Sequence, residues 1–116
     1  MPYWGSKPAD NDYAFGAVGV YLLTIKKRMF EDMATVIEKA HPEQGILASL
    51  QCVRLLAAEF PKCVSVHFRK KELEKAKAGF AEWYEVARGK IPPKYQDAIL
   101  LEAEKEFALF EEQVLS

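Results

Sequence analysis

The feature that most constrains this chain is residues 13–25, a run of 13 residues without a charged side chain. The run lies inside a longer segment, residues 12–40, whose apolar residues recur at steps of three and four. That spacing is the repeat of an α-helix with one apolar face. The face consists of Phe15, Val18, Leu22, Ile25, Met29, Met33, Val36 and Ala40. The segment therefore predicts one long helix.

The uncharged half of this helix also carries Tyr13 and Val20 on the side opposite that apolar face. A helix that is apolar on all sides is normally covered on all sides. We therefore expect the later segments to wrap around residues 13–25 and to shield them from water. Gly16 and Gly19 destabilise a helix by up to about 1 kcal/mol each relative to alanine. We expect a neighbouring backbone or a large ring to lie close to the helix at these glycines.

Length and charge limit the class of protein. A chain of 116 residues has the size of one domain and can bury a core without metals or disulfides. Its formal net charge of -1 gives no general attraction to nucleic acids or anionic membranes. The uncharged run is shorter than the roughly 20 residues of a membrane-spanning helix, and it lacks the flanks of a signal peptide. We expect a cytoplasmic protein whose partner is neither a membrane nor a nucleic acid.

The cysteines and histidines form no recognisable metal or catalytic pattern. Cys52 and Cys63 are both surrounded by apolar residues and have no CxxC spacing, which is typical of reduced core thiols. His41 and His67 have no cysteine or carboxylate at ligand spacing, so we interpret them as structural residues. The sequence predicts no metal site and no cofactor.

Three further helical segments follow the first, at residues 43–60, 69–88 and 94–114. Prolines separate them, and a proline disfavours helical geometry in the residue before it. Residues 63–68 alternate apolar and polar side chains, which fits either an extended connector or the first turn of the next helix. The pattern predicts an all-α fold, a single domain over residues 1–116, in which four helices form a bundle around the long first helix.

An irregular N-terminal arm, residues 1–11, precedes the bundle because its prolines and glycine disfavour regular structure. We expect Trp4 to pack against the side of the first helix, since a tryptophan near a terminus seldom stays unpacked. Asp10, Asn11 and Asp12 stand where the helix needs an N-cap. Asp10 and Asp12 are alternatively two ligands for a cation, but no third carboxylate is near them in the sequence.

The opening residues also follow a recognisable spacing, formed by Met1, Trp4, Gly5, Pro8, Asn11, Asp12 and Ala14. This spacing resembles the start of a bacterial family catalogued as domain of unknown function 4259, whose members begin with Met-Gly-x-Trp-Gly, then Pro-Phe and Asn-Asp-x-Ala-x-Asp. The chain differs from that pattern at Pro2, Ala9 and Gly16. The resemblance implies a helical bacterial protein with a tethered arm, and it implies no reaction. It marks Trp4, Gly5, Asn11, Asp12 and Ala14, which we interpret as packing and capping residues.

The last two helical segments differ in charge. Residues 69–90 hold seven basic and four acidic residues, a balance of +3, and residues 94–114 hold two basic and six acidic residues, a balance of -4. Opposite charges suit two antiparallel neighbours, and alternatively the acidic helix faces a basic partner. The helical wheel places Leu109 on the outside beside Glu102, Lys105 and Glu112.

The sequence contains no glycine-rich phosphate loop, no HExxH and no nucleophile with a recognisable base. We therefore expect a non-enzymatic protein-binding module rather than an enzyme. Within that class we favour a bacterial immunity or inhibitor protein that blocks a cognate toxin, such as a basic toxin domain, by steric occlusion. The predicted contact residues are Glu102, Glu106, Leu109 and Glu112.

Two other functions stay open. A self-associating structural protein would form a homodimer through the outward apolar residues Leu55, Val86 and Leu109. A small enzyme would have a polar pocket at the arm, lined by Trp4, Asp10, Asn11 and Tyr13.

Overall fold

The computed structural model describes residues 3–115, and the regular structure within them is helical. Five α-helices follow in order: α1 (Asp12–Glu38), α2 (Ile46–Glu59), α3 (Pro61–His67), α4 (Lys70–Ala87) and α5 (Pro93–Phe110). A 3₁₀ turn, Arg88–Lys90, extends α4, and a π-helical turn, Glu111–Leu115, extends α5. The all-α class predicted from the sequence is confirmed.

The four predicted helices correspond to α1, α2, α4 and α5, and α3 is additional. Pro61 occupies the first position of α3, where its fixed φ suits a helix and its missing N–H is not needed. Phe60 has φ -128° and ψ 57°, so the chain changes direction between α2 and α3. Most of residues 63–68 therefore belong to a separate short helix, which is neither of the two structures predicted for them.

The start of α1 follows the predicted chemistry. The side chain of Asn11 accepts a hydrogen bond from the backbone N–H of Ala14 at 2.9 Å and caps the helix. The arm folds back on itself, with the N–H of Trp4 donating to the carbonyl of Asp10 at 2.9 Å. The Trp4 ring lies edge-on to Phe15 of α1 at 5.9 Å between centroids, so the predicted packing of Trp4 on the first helix is confirmed.

One contiguous cluster of buried apolar side chains draws on all five helices. Trp83, Phe68 and Phe110 are its largest fully buried members. The Trp83 indole donates to the carbonyl of His41 at 2.7 Å, which gives the buried N–H a partner and ties α4 to the turn after α1. Burial of these side chains is the main stabilising term of the fold.

The outer side of α1 is not shielded, contrary to the prediction for residues 13–25. Its apolar stripe packs against α2, α3 and α4, but on the opposite side Tyr13 is 89% exposed and Val20 60% exposed. The physical reason is that the later helices pack on the inner side of α1, and α5 packs chiefly against α2. The uncharged half of α1 is therefore covered on its inner side and exposed on its outer side.

The two glycines of α1 have different surroundings. A Cβ atom at Gly19 would lie 3.0 Å from Nε2 of His67, so a close neighbour is present there, but it is the imidazole of α3 rather than a large ring or a backbone. A Cβ atom at Gly16 would meet nothing within 4 Å, so the close neighbour predicted at Gly16 is wrong. Only Gly19 is explained by packing within this chain.

The helix α1 ends earlier than the predicted residue 40. Ala40 has φ 47°, in the left-handed region that favours glycine. The N–H of His41 reaches back to the carbonyl of Val36 at 2.9 Å, and the N–H of Ala40 to the carbonyl of Ile37 at 3.1 Å. These bonds form a Schellman-type cap, in which the alanine side chain is unfavourable.

We expect Ala40→Gly to raise the free energy of unfolding by about 0.5–1 kcal/mol, because glycine adopts the left-handed conformation without the Cβ clash. The matched control is Ala34→Gly, at an exposed position inside α1, which should lower it by about 1 kcal/mol. Urea denaturation of both variants measures the difference. A loss of stability in both variants would show that residue 40 does not adopt a left-handed conformation.

Candidate functional site

A groove between α2 and α5, with a volume of about 340 Å³, contains most of the predicted contact residues. Glu102, Glu106 and Leu109 line it from α5. Its other lining residues are Gln44, Leu47, Ala48, Gln51, Arg54 and Lys105. We call this cavity the α2–α5 groove.

Glu106 is not available to a partner, and its prediction as a contact residue is wrong. Glu106 is 8% exposed. Its carboxylate accepts two hydrogen bonds from Arg54, at 2.6 Å from Nε and 2.8 Å from Nη2. Arg54 also donates from Nη1 to Gln113 at 3.1 Å. Hydrogen bonding to Glu106 raises the pKa of the Arg54 guanidinium and outweighs burial, which lowers it. The two-bond geometry joins α2 to α5.

The other three predicted contact residues lie in different surroundings. Glu102 is exposed at the rim of the α2–α5 groove, and Leu109 is half-buried in its wall. Glu112 is exposed in the π-helical turn after α5 and is not part of the groove lining. The structure therefore brings together Glu102, Glu106 and Leu109, of which only Glu102 is fully accessible.

A second line of exposed residues runs along α5. Asp97, Leu101, Glu104 and Ala108 are exposed, and their steps of four, three and four place them along one side of the helix. We call this line the α5 ridge. Leu101 is 65% exposed, and its neighbour Leu100 is 37% exposed. The ridge was not among the predicted contact residues, although its helical spacing is visible in the sequence.

A cavity of about 480 Å³ lies between the arm and the junction of α2 and α3. Trp4 and Asp10 line it, as predicted for an enzyme pocket. Asn11 instead caps α1, and Tyr13 points into solvent with 89% exposure. Of the four residues predicted to line this pocket, Trp4 and Asp10 do so, and Asn11 and Tyr13 do not.

The polar groups around this cavity hold the N-terminal arm in place through a hydrogen bond and a cation–π contact. The carboxylate of Asp10 accepts the backbone N–H of Lys7 at 3.2 Å. A Cβ atom at Gly5 would collide with the Asp10 side chain, so glycine is needed where the arm closes. Lys62 lies over the Trp4 ring at 4.6 Å. Of the residues marked by the family resemblance, Trp4, Gly5, Asn11 and Ala14 thus have packing or capping roles.

The cysteines divide between the core and the surface. Cys63 is buried at the base of the arm cavity, and burial raises the pKa of its thiol, which keeps it protonated and unreactive. Cys52 is exposed, so its prediction as a core thiol is wrong. It lies on the solvent side of α2, whereas the core side of that helix carries residues such as Leu50 and Val53.

A second ion pair with a buried carboxylate joins α1 to α4. Lys26 donates to Glu72 at 3.0 Å and to the carbonyl of His67 at 3.2 Å. The second carboxylate oxygen of Glu72 accepts the N–H of Arg69 at 3.1 Å, which caps α4. Burial raises the pKa of Glu72, but the hydrogen bonds from Lys26 and Arg69 outweigh it, and the net pKa lies below 4.5. The carboxylate is held ionised by structural contacts.

Residues 3–115 contain no group of three or more histidine, cysteine or acidic residues that could hold a metal ion. No helix among these residues is long and apolar enough to cross a lipid bilayer.

Comparisons with protein-family models, curated proteins and solved structures found no match. The resemblance to the bacterial family therefore stays a prediction. The candidate sites have to be judged from their own geometry.

We expect Glu106→Ala to lower the free energy of unfolding by about 3 kcal/mol, because it leaves the Arg54 guanidinium in the interface without its partner. Replacing both residues, Arg54→Met with Glu106→Leu, should restore most of the loss. The control Glu102→Ala removes an exposed carboxylate of the same helix and should change stability by about 0.5 kcal/mol or less. Equal effects of the two single variants would contradict the buried position of Glu106.

Glu72 should make stability depend on pH. Because its pKa is lowered by folding from an ordinary 4.5, its contribution is complete above about pH 4.5 and is lost as the pH falls through the folded-state value. Glu72→Gln should cost about 2 kcal/mol at neutral pH, and the gap to the parent protein should close in acid. Glu74→Gln, on the exposed side of α4, is the control and should show no such closing gap in acid denaturation curves.

Proposed function

We propose that this protein is a non-enzymatic protein-binding module that holds a basic partner on the α5 ridge. In this proposal it is a bacterial immunity or inhibitor protein of the cytoplasm, and it occludes the active surface of a toxin domain. The observation that carries the proposal is the exposed Leu101 between carboxylates of the ridge. The four long helices serve as a rigid bundle that presents this surface.

Charge supports a basic partner even without Glu106. The exposed acidic residues of α5 and its terminal turn outnumber the exposed basic ones, which are Lys94 and Lys105. The acidic set consists of Asp97, Glu102, Glu104, Glu111 and Glu112. Proteins that act on nucleic acids present basic surfaces, and complementary charge speeds their capture and suppresses wrong partners.

The ridge also has the composition of an interface centre. Specific interfaces combine an apolar centre, which loses its water, with a polar rim. Leu101 and Ala108 supply apolar surface on the ridge, and Asp97 and Glu104 flank Leu101 on either side along the helix. A rigid helix pays little conformational entropy when it binds, which favours blocking over induced rearrangement.

An enzyme is less well supported. The buried carboxylates, Glu72 and Glu106, are both engaged in ion pairs with hydrogen-bonded geometry. The thiol at the arm cavity, Cys63, is held protonated by burial. These groups stabilise helix junctions, and none of them is poised for proton transfer or nucleophilic attack.

The test uses the full chain as bait for proteins of its own source organism. The parent protein should capture a basic protein in a salt-sensitive manner, and Asp97→Lys with Glu104→Lys should abolish capture. The matched control is Glu82→Lys with Glu85→Lys, two exposed reversals on α4, which should leave capture intact. Expression of the captured protein alone should arrest growth, and coexpression of the parent protein should relieve the arrest.

Two results would refute the proposal. Capture that survives the ridge reversals and fails with the α4 reversals would exclude the ridge. A captured protein whose expression is harmless, or whose activity is unchanged by the bound protein, would exclude the inhibitor role.

A further inference from the structure

The uncovered side of α1 forms an apolar surface that the proposed ridge does not use. Its members are exposed and carry no charge, and we call them the α1 outer face: Tyr13, Gly16, Val20, Tyr21, Leu23 and Thr24. Tyr13 is 89% exposed, Tyr21 65%, Val20 60% and Leu23 48%. The solvent side of a helix in a soluble protein normally carries charged and polar residues. A surface of this kind indicates an interaction site.

We propose that the α1 outer face is a homodimer surface, on which a second copy of this chain packs antiparallel across a two-fold axis near Val20. The inference is independent of the proposed inhibitor function, because it uses a different helix. Three properties of the surface support a second copy as the occupant: its area, its shape and the charges at its ends.

The area is sufficient for a closed pair. A tyrosine side chain presents roughly 150–250 Å², so at these exposures the two tyrosines, the valine and the leucine offer roughly 500 Å² of apolar surface. Complete burial of this surface on both copies would remove at most roughly 1,000 Å², which is the lower end of the range for a biological interface. The flanking residues of α1 add to this figure.

The shape allows two helices to approach closely. Gly16 has open space where a Cβ would stand, so nothing among residues 3–115 explains its cost to the helix. A glycine facing a second backbone removes the side chain that would keep the two helices apart. Thr24 donates its hydroxyl to the carbonyl of Val20 at 2.9 Å, so this polar side chain is already satisfied within its own helix.

The charges at the two ends favour an antiparallel arrangement. Asp12 precedes the uncharged surface and Lys27 follows it, and both are exposed. The two residues are eight and seven positions from Val20, so an antiparallel pair centred there brings each Asp12 to within about one residue rise of the partner's Lys27. A parallel pair would place like charges together. A two-fold axis also satisfies both copies with the same surface.

Sedimentation across a concentration series tests the surface. The parent protein should form a dimer with a dissociation constant in about the micromolar range. Val20→Glu should weaken the dimer by about 100-fold or more, because each copy brings an unpaired carboxylate to the two-fold axis. Leu101→Glu is the matched control on the α5 ridge and should leave the dimer unchanged. Circular dichroism checks that both variants remain helical.

Cysteine cross-linking tests the orientation. In a Cys52→Ser background, which removes the exposed native thiol, Val20→Cys should form a disulfide between two copies under mild oxidation. Tyr13→Cys should not cross-link to itself, because an antiparallel pair places the two positions about 20 Å apart. Asp12→Lys should weaken the dimer, and adding Lys27→Asp should restore it.

Four outcomes would overturn the inference. The parent protein could remain monomeric at millimolar concentration. A dimer could survive Val20→Glu and be lost with Leu55→Glu, which would place the interface on α2. Cross-linking through Tyr13→Cys as efficient as through Val20→Cys would exclude the antiparallel pair. Cosedimentation of a monomeric parent protein with phosphatidylcholine vesicles, abolished by Val20→Glu, would assign the surface to a membrane.

Discussion

The ammonium group of Lys26 connects three helices, α1, α3 and α4. It donates to the carbonyl of His67 at the end of α3 and to Glu72 in the first turn of α4. A helix of seven residues is unstable in isolation, so α3 depends on contacts of this kind. Because Glu72 also accepts the N–H of Arg69, one ion pair satisfies the end of one helix and the start of the next. The inner side of α1 thus anchors α3 and α4.

This anchoring makes the fold one-sided. The His67 ring lies against Gly19 on the inner side of α1, and Arg54 and Glu106 hold α5 on α2 rather than on α1. The described residues form an elongated body with extents of 55 × 24 × 20 Å. The apolar outer side of α1 remains exposed because α2, α3 and α4 pack on its inner side and α5 packs chiefly against α2.

Local chemistry could be predicted from the sequence, and pairing between distant residues could not. The Asn11 cap and the apolar stripe of α1 depend on side chains within a few positions, and both were predicted correctly. Glu102 and Glu106 look alike in the sequence, since both are acidic residues of one helix. Only Glu106 meets Arg54, which is 52 positions away, and no local rule places that arginine opposite it. The same limit applies to residues 13–25, whose apolar character says nothing about which segment covers them.

The two proposed surfaces lie on α1 and on α5, and neither of these helices is the main packing partner of the other. Since α5 packs chiefly against α2, a second copy seated on the outer side of α1 need not cover Leu101. A dimer would then present two ridges, each able to occlude one basic partner. If the partner is monomeric, the two ridges bind independently and dimerisation adds no affinity. If the partner is itself oligomeric, the second contact becomes intramolecular, and the gain depends on whether the spacing of the ridges matches the spacing of the partner's sites.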